Sequence, residues 1–317
     1  MRLPALVAVV LCLGGLVGPS QAGRDAQASK ECVECHDDAD LPDMSRSAHA
    51  VAADPRTPGC VTCHGASRAH IDKPEKARTE IAFSKTGGAS AGARSAVCLR
   101  CHDRDPRRML WAGNPHDNAD VACSSCHKVH TNNDKVLAKA TQIEVCYACH
   151  KEQRAQMQRP SHHPVPEGRM TCSDCHNAHG SAGPKLVSRD STNDTCYSCH
   201  AEKRGPFVHE HEPVTQDCSS CHNPHGSVVA GLLKTRQPML CQQCHTPHVA
   251  GGIGAVGGQP GVYTPAVPGG LPAIGAVSGG KNVVNLWQGR SCSNCHTQVH
   301  GTNNPSVTGP TPQRLFR

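Results

Sequence analysis

Residues 218–227 read CSSCHNPHGS, and the first five of them decide how the rest of the chain is to be understood. Cys218 and Cys221 stand three positions apart, and His222 follows directly. Two thiols at that spacing fall within one helical turn and can bond the two vinyl groups of one porphyrin. The adjacent imidazole then reaches the iron from the proximal side, so C-x-x-C-H is the attachment signature of a c-type haem. Working outward, the pattern recurs upstream at Cys32-Cys35-His36, Cys60-Cys63-His64, Cys98-Cys101-His102, Cys123-Cys126-His127, Cys146-Cys149-His150, Cys172-Cys175-His176 and Cys196-Cys199-His200. Downstream it returns at Cys241-Cys244-His245 and Cys292-Cys295-His296, making ten copies in all. Of the 21 cysteines only Cys12 lies outside the pattern.

Other uses of cysteine fit less well. Structural zinc needs C-x-x-C pairs grouped in fours, a disulfide scaffold needs only an even count, and a thioredoxin-like redox pair appears once. None of them demands a His after every pair. With His at 22 of 317 positions, ten such placements by chance have a probability on the order of one in a trillion, against a motif with a known chemical reason.

Composition points the same way. Leu, Ile, Val and Phe number 51 of 317 residues, and aromatic residues number eight. A chain below about 20% in those four apolar types ordinarily reads as disordered, because it cannot bury a conventional core. Porphyrins resolve the shortage: ten macrocycles would form the apolar interior, with the chain wrapped around them. No second long apolar run follows the first, which excludes a transmembrane bundle. Lys and Arg are scattered and aromatic platforms nearly absent, which argues against a nucleic-acid partner.

The N-terminus reads as a secretory leader: Arg2, an apolar run from Leu3 to Val17, then Ser20-Gln21-Ala22, with cleavage expected after Ala22. Export removes Cys12 and places the remaining twenty cysteines in an oxidising compartment. Losing Arg2 lowers the formal charge from +6 to +5, and twenty ionised haem propionates would take it to −15. The basic side chains are therefore expected to serve as propionate partners and surface charge.

Ten histidines belong to the motifs, and twelve remain: His49, His70, His116, His130, His162, His163, His179, His209, His211, His225, His248 and His300. Two sets, 162/163 and 209/211, are close pairs. If each supplies one ligand, ten candidates remain for ten irons, which suggests bis-histidine coordination throughout. Closed six-coordinate iron suits electron transfer rather than substrate chemistry.

An internal repeat begins at Cys123, Cys172 and Cys218, spaced by 49 and 46 residues. Each copy places a His three positions after the motif His (His130, His179, His225) and a Leu fourteen after the first Cys (Leu137, Leu186, Leu232). A second motif follows, and a further His (His116, His163, His211) lies upstream. A His only three residues past its own motif cannot cap the same iron from the other face, so it is expected to reach a neighbouring haem. Gly87-Gly88-Ala89-Ser90 reads as a flexible connection, and the Gly/Pro-rich stretch 249–288 as a long loop.

The ten motifs, CYSCHAEKRGPF at 196–207, CSSCHNPHGS at 218–227 and RSCSNCHTQVHG at 290–301 resemble the MtrA/DmsE-type periplasmic decahaem cytochromes over essentially the whole mature chain. The resemblance implies a multihaem cytochrome c: an elongated haem-wrapped chain of short α-helices and coil with almost no sheet. Its expected divisions are a leader over 1–22, an N-terminal pentahaem half over 23–150, and a C-terminal pentahaem half over 151–317 that contains loop 249–288. It further implies ten covalent c-type haems. The distal ligands it favours are His49, His70, His116, His130, His163, His179, His211, His225, His248 and His300, with His163 preferred because it precedes Pro and His211 because it precedes x-Pro-Val. The implied partners are an outer-membrane β-barrel porin, an extracellular multihaem cytochrome or terminal reductase, and periplasmic or inner-membrane electron donors and acceptors. A non-enzymatic electron wire between periplasm and cell surface is the leading reading. A multihaem reductase or oxidase, or a soluble periplasmic shuttle, are the alternatives. The residues alone leave open the direction of electron flow, the haem order in space and the pairing of distal His with haems.

Overall fold

The computed structural model describes residues 29–36, 41–51, 54, 56–84, 86, 88–245, 291–294 and 296–303. The expected leader, loop 249–288, His248 and Cys295 lie outside the described residues.

The chain forms short helical pieces joined by coil and turns. The longest helix among the described residues, Ala91–His102, has twelve residues. No strand is present among them; four isolated antiparallel bridges take its place: Ser161 with Ser227, His176 with Val187, His209 with Thr302, and His222 with Leu233. No helix of the described residues is long and apolar enough to cross a membrane. The residues fall into two compact units. One runs to Arg108 and adds Pro115–Lys135; the other joins Met109–Asn114 to the chain from Val136 onward.

Local chemistry dictates the helical pieces. Each C-x-x-C-H closes one turn: the motif His N–H donates to the carbonyl of the first Cys at His36, His127, His150, His176, His200, His222, His245 and His296, at 2.9–3.1 Å. The remaining two motifs lie in the helices Cys60–His64 and Ala91–His102. An i→i+4 bond across the motif sets both thiols and the imidazole at one end of a single turn. Side-chain caps start several pieces: Ser90 accepts from the Ala93 N–H, and Ser191 from the Asp194 N–H. The Thr171 N–H donates to the Asp174 carboxylate at 2.7 Å, within a capping box.

Packing among side chains is thin. Among the described residues the buried apolar side chains are Val97, Trp111, Ala122, Met157 and Val165. Five such groups cannot offset the conformational entropy of ordering this much chain. Something other than the chain's own side chains must complete such an interior. In the expected connection Gly87 lies outside the described residues. Beside it the Ala89 N–H donates to Ala82 O at 2.9 Å, and a Cβ at Gly88 would run into the Ser84 carbonyl. Ser90 caps the start of the longest helix.

Candidate haem-binding sites

Among the described residues, motif histidines face second histidines across a gap. The pairs are His36–His70, His102–His49, His64–His130, His200–His163, His176–His225, His245–His211 and His222–His300, with ring centres 5.9–6.3 Å apart. Several are near-parallel: 17° for His222–His300, 18° for His36–His70 and 23° for His176–His225. Parallel rings in contact would stand about 3.5–4 Å apart, so these pairs leave room for one atom between them. An imidazole nitrogen binds a transition metal at about 2 Å and lies roughly 1 Å from its own ring centre, so two imidazoles across one iron put their centres about 6 Å apart. The residues fit a bis-histidine haem.

The unused ring nitrogens are tied back. Nδ1–H donates to a backbone carbonyl from His64 (Ile81, 3.1 Å), His70 (Ala77, 2.8 Å), His163 (Pro224, 2.8 Å), His176 (Lys185, 3.1 Å) and His222 (Gly231, 2.8 Å). A carbonyl can only accept, so the tautomer is set and Nε2 is left with its lone pair toward the partner ring. Burial pushes His64, His102, His225 and His300 below the usual imidazole range. It thereby favours the neutral form that a metal requires.

The close histidine pairs separate. His162 spends both nitrogens, Nδ1 on the Arg159 carbonyl at 2.5 Å and Nε2 on Glu167 at 3.0 Å, and Glu167 pushes its pKa up. Its neighbour His163 turns instead to His200. His209 makes a two-way backbone bridge with Thr302, while His211 faces His245. The two cases are built alike. Two residues before His163, Ser161 bridges to Ser227, which lies two residues after His225; His209 and Thr302 stand in the same relation to His211 and His300. Among the other candidates, His179 is half-buried with its ring 6.3 Å from Trp111. His116 and His296 are also half-buried, and His150 is exposed.

A His three or four residues past a motif faces an earlier motif in each of these pairings. His130 reaches His64, His225 reaches His176, and His300 reaches His222, two motifs back each time. The thiols show the matching order. First cysteines meet in Cys32–Cys60, Cys98–Cys123, Cys146–Cys172, Cys196–Cys218 and Cys241–Cys292. Second cysteines lie within reach of each other's charge in Cys63–Cys101, Cys175–Cys199 and Cys221–Cys244. As free thiols, Cys98 is pushed up by its bond to Cys123, and Cys123 is held down by the same bond. Within each unit, consecutive motifs are thus spatial neighbours, alternately through their first and second cysteines.

Sequence reasoning missed a clasp that joins the motifs in twos. A side-chain oxygen three or four residues ahead of one motif accepts a backbone N–H from the start of the next. Ser29 holds Cys60 (2.8 Å), Ser95 holds Cys123 (3.3 Å), Gln142 holds Ser173 (3.1 Å), Asn193 holds Cys218 (2.7 Å) and Gln237 holds Ser293 (2.9 Å). Buried Asn193 also donates to the carbonyls of Val214 and Thr215. Three glycines directly after a His outside the motifs were likewise unassigned. Gly180, Gly226 and Gly301 have φ of +115°, +151° and +120°, and a Cβ would strike the Leu110 carbonyl, the Gln156 carbonyl and the Phe207 ring respectively. The dipeptide His-Gly in CSSCHNPHGS was the available signal, since only glycine takes such a φ without strain.

Several buried polar atoms find no partner among the described residues: Ser47 Oγ, Arg94 Nε, Ser124 Oγ, Tyr147 Oη and Gln156 Oε1. Buried polar atoms are ordinarily bonded; the donors among them, Ser47, Ser124 and Tyr147 hydroxyls and Arg94 Nε–H, suit the polar edge of a bound group such as a propionate, whereas Gln156 Oε1 can only accept.

Comparison with known proteins agrees with this geometry. The family described as "Doubled CXXCH motif" matches residues 162–205 and 211–250, and "Cytochrome c-type protein NrfB-like" matches residues 60–142. The chain is 43% identical over 298 residues to the multiheme cytochrome MtrA of Shewanella baltica, covering 90% of this chain and 82% of that protein. It is 30% identical over 102 residues to the cytochrome c-type protein NrfB of Haemophilus influenzae, covering 30% of this chain and 45% of that one. With covalent haem on its motif cysteines and a relative this similar along nearly its whole length, the chain belongs to the MtrA-type multihaem c-type cytochromes, proteins of electron transfer rather than enzymes.

Proposed function

We propose that this cytochrome carries ten haems, each held by two motif cysteines and two histidines, and serves as an electron wire between periplasm and cell surface through an outer-membrane β-barrel porin. The observation that carries the reading is the order of the motifs. Within each unit successive first cysteines meet, and successive second cysteines face each other, along the chain. A bound haem supplies one-electron exchange at its iron. The chain's own part is to hold consecutive attachment points side by side, to offer Nε2 from two imidazoles per site, and to leave no position for a substrate. The distal set is His49, His70, His116, His130, His163, His179, His211, His225, His248 and His300. Residues 1–22 are the export leader of this reading, and its terminal partners are an extracellular multihaem cytochrome or reductase and a periplasmic carrier.

The test combines three measurements on the matured protein. Intact mass should exceed the mature polypeptide by ten haems. Ferric electron paramagnetic resonance should be wholly low-spin. The protein should co-purify with a β-barrel from outer-membrane fractions. A wholly soluble protein without a barrel would make it a shuttle, and a high-spin haem that binds cyanide or nitrite would make it a reductase.

A further inference from the structure

His127, the motif histidine of the first repeat copy, is backed differently from its counterparts. In the second and third copies the corresponding Nδ1–H groups of His176 and His222 donate to neutral backbone carbonyls, Lys185 and Gly231. In the first copy His127 Nδ1 lies 2.8 Å from a carboxylate oxygen, Oδ2 of Asp134. The other carboxylate oxygen accepts the Lys128 N–H at 3.2 Å, so the Asp134 side chain is held from both sides by the segment that carries His127. Lys128's ammonium donates to the Ser124 carbonyl at 2.8 Å. The Asp134 side chain is 13% exposed and that of His127 33%, so water screens this contact less than it would a surface pair. The repeat register shows that the acid belongs to one copy alone. Asp134 stands seven residues after His127, where Gly183 and Val229 follow His176 and His222.

A carboxylate on Nδ1–H draws the proton toward itself, makes Nε2 a stronger donor to the metal, and favours the more highly charged ferric state. A neutral carbonyl does so less. We propose that Asp134 is a positioning residue that, through His127, sets the haem at Cys123 and Cys126 to a lower reduction potential than the haems at Cys172 and at Cys218. The wire then contains one site from which an electron leaves readily and onto which it arrives reluctantly. This rests on His127 being an iron ligand.

The experiment uses the full-length, haem-loaded protein and potentiometric titration followed by visible absorbance. In Asp134→Asn, one one-electron component should move to higher potential by at least a tenfold change in the ferric-to-ferrous ratio, about 59 mV for a one-electron couple; Asp134→Glu should stay near wild type. A titration that overlays wild type, at full haem mass and low spin, overturns the proposal. A second arm needs no change at Asp134. Cys→Ala pairs that delete the haems at Cys123/Cys126, Cys172/Cys175 and Cys218/Cys221 in turn should each remove one component, and the first must be the most negative of the three. Any other order also overturns it. His127→Ala separates the two readings. A new high-spin signal keeps the ligation while the Asp134 result stands or falls alone, and no spectral change shows that the ligation itself is wrong.

Discussion

Removing one imidazole from the His163–His200 pair tests the ligand geometry most directly. The ring centres are 6.3 Å apart and His163 Nδ1–H is tied to the Pro224 carbonyl at 2.8 Å. In His163→Ala the iron at His200 loses one axial nitrogen and nothing nearby replaces it. His162 is next in sequence, but its nitrogens are committed to the Arg159 carbonyl and Glu167. With the ten haems proposed above, roughly one-tenth of the ferric signal should pass from low-spin to high-spin, and added cyanide should restore it. The lost bond to Pro224 costs about 1 kcal/mol, too little to unfold the chain, and haem mass should be unchanged because both thioethers remain. His162→Ala should leave the spectrum wholly low-spin. The reasoning fails if His163→Ala stays low-spin, or if the high-spin signal arises in His162→Ala instead.

Three further outcomes follow from other parts of the structure. Gly226→Ala should destabilise the protein by about 1–3 kcal/mol, since φ is +151° and the added carbon meets the Gln156 carbonyl. Gly92→Ala, in a helix with open space around it, should stabilise by roughly 0.5–1 kcal/mol. Thermal melts of the two variants should therefore shift in opposite directions, and equal shifts would count against the steric argument. Asn193→Ala strands the Cys218 N–H and two carbonyls, at about 1–3 kcal/mol per buried group left unpaired; amide exchange at Cys218 should accelerate, and unchanged protection would refute the clasp. Cys196→Ala with Cys199→Ala should lower the intact mass by one haem, whereas an unchanged mass would mean that those thiols carry none.

Much of the chemistry could be read from the residues because it is contiguous. A C-x-x-C-H turn needs only its own five residues, and the shortage of Leu, Ile, Val and Phe correctly signals an interior that side chains do not fill. That His130 and His225 serve other motifs than their own also follows from local geometry, since three residues do not reach around a porphyrin. Which motif each reaches does not follow. It depends on bridges such as Ser161–Ser227, whose partners are 66 residues apart and carry no distinctive side chain. The clasps escaped notice for a related reason. The acceptor can be Ser, Asn or Gln and can stand three or four places upstream, so it forms no pattern, whereas the paired N–H is backbone and invisible in any sequence. Asp134 was lost among 26 acidic residues, because only the folded turn brings it to His127. The bond from the Ala89 N–H to the Ala82 carbonyl is equally silent in the sequence, being backbone on both sides.

The last clasp has a consequence for how this chain tolerates change. Gln237 accepts from the Ser291 hydroxyl and the Ser293 N–H, so the tenth attachment point is fastened to the chain just ahead of the ninth. The entropic penalty of closing a loop rises only by about 0.6 kcal/mol for each doubling of its length. The number of residues separating the two motifs therefore weighs little on this contact, and one amide side chain rather than the length of the intervening chain keeps the two stations adjacent.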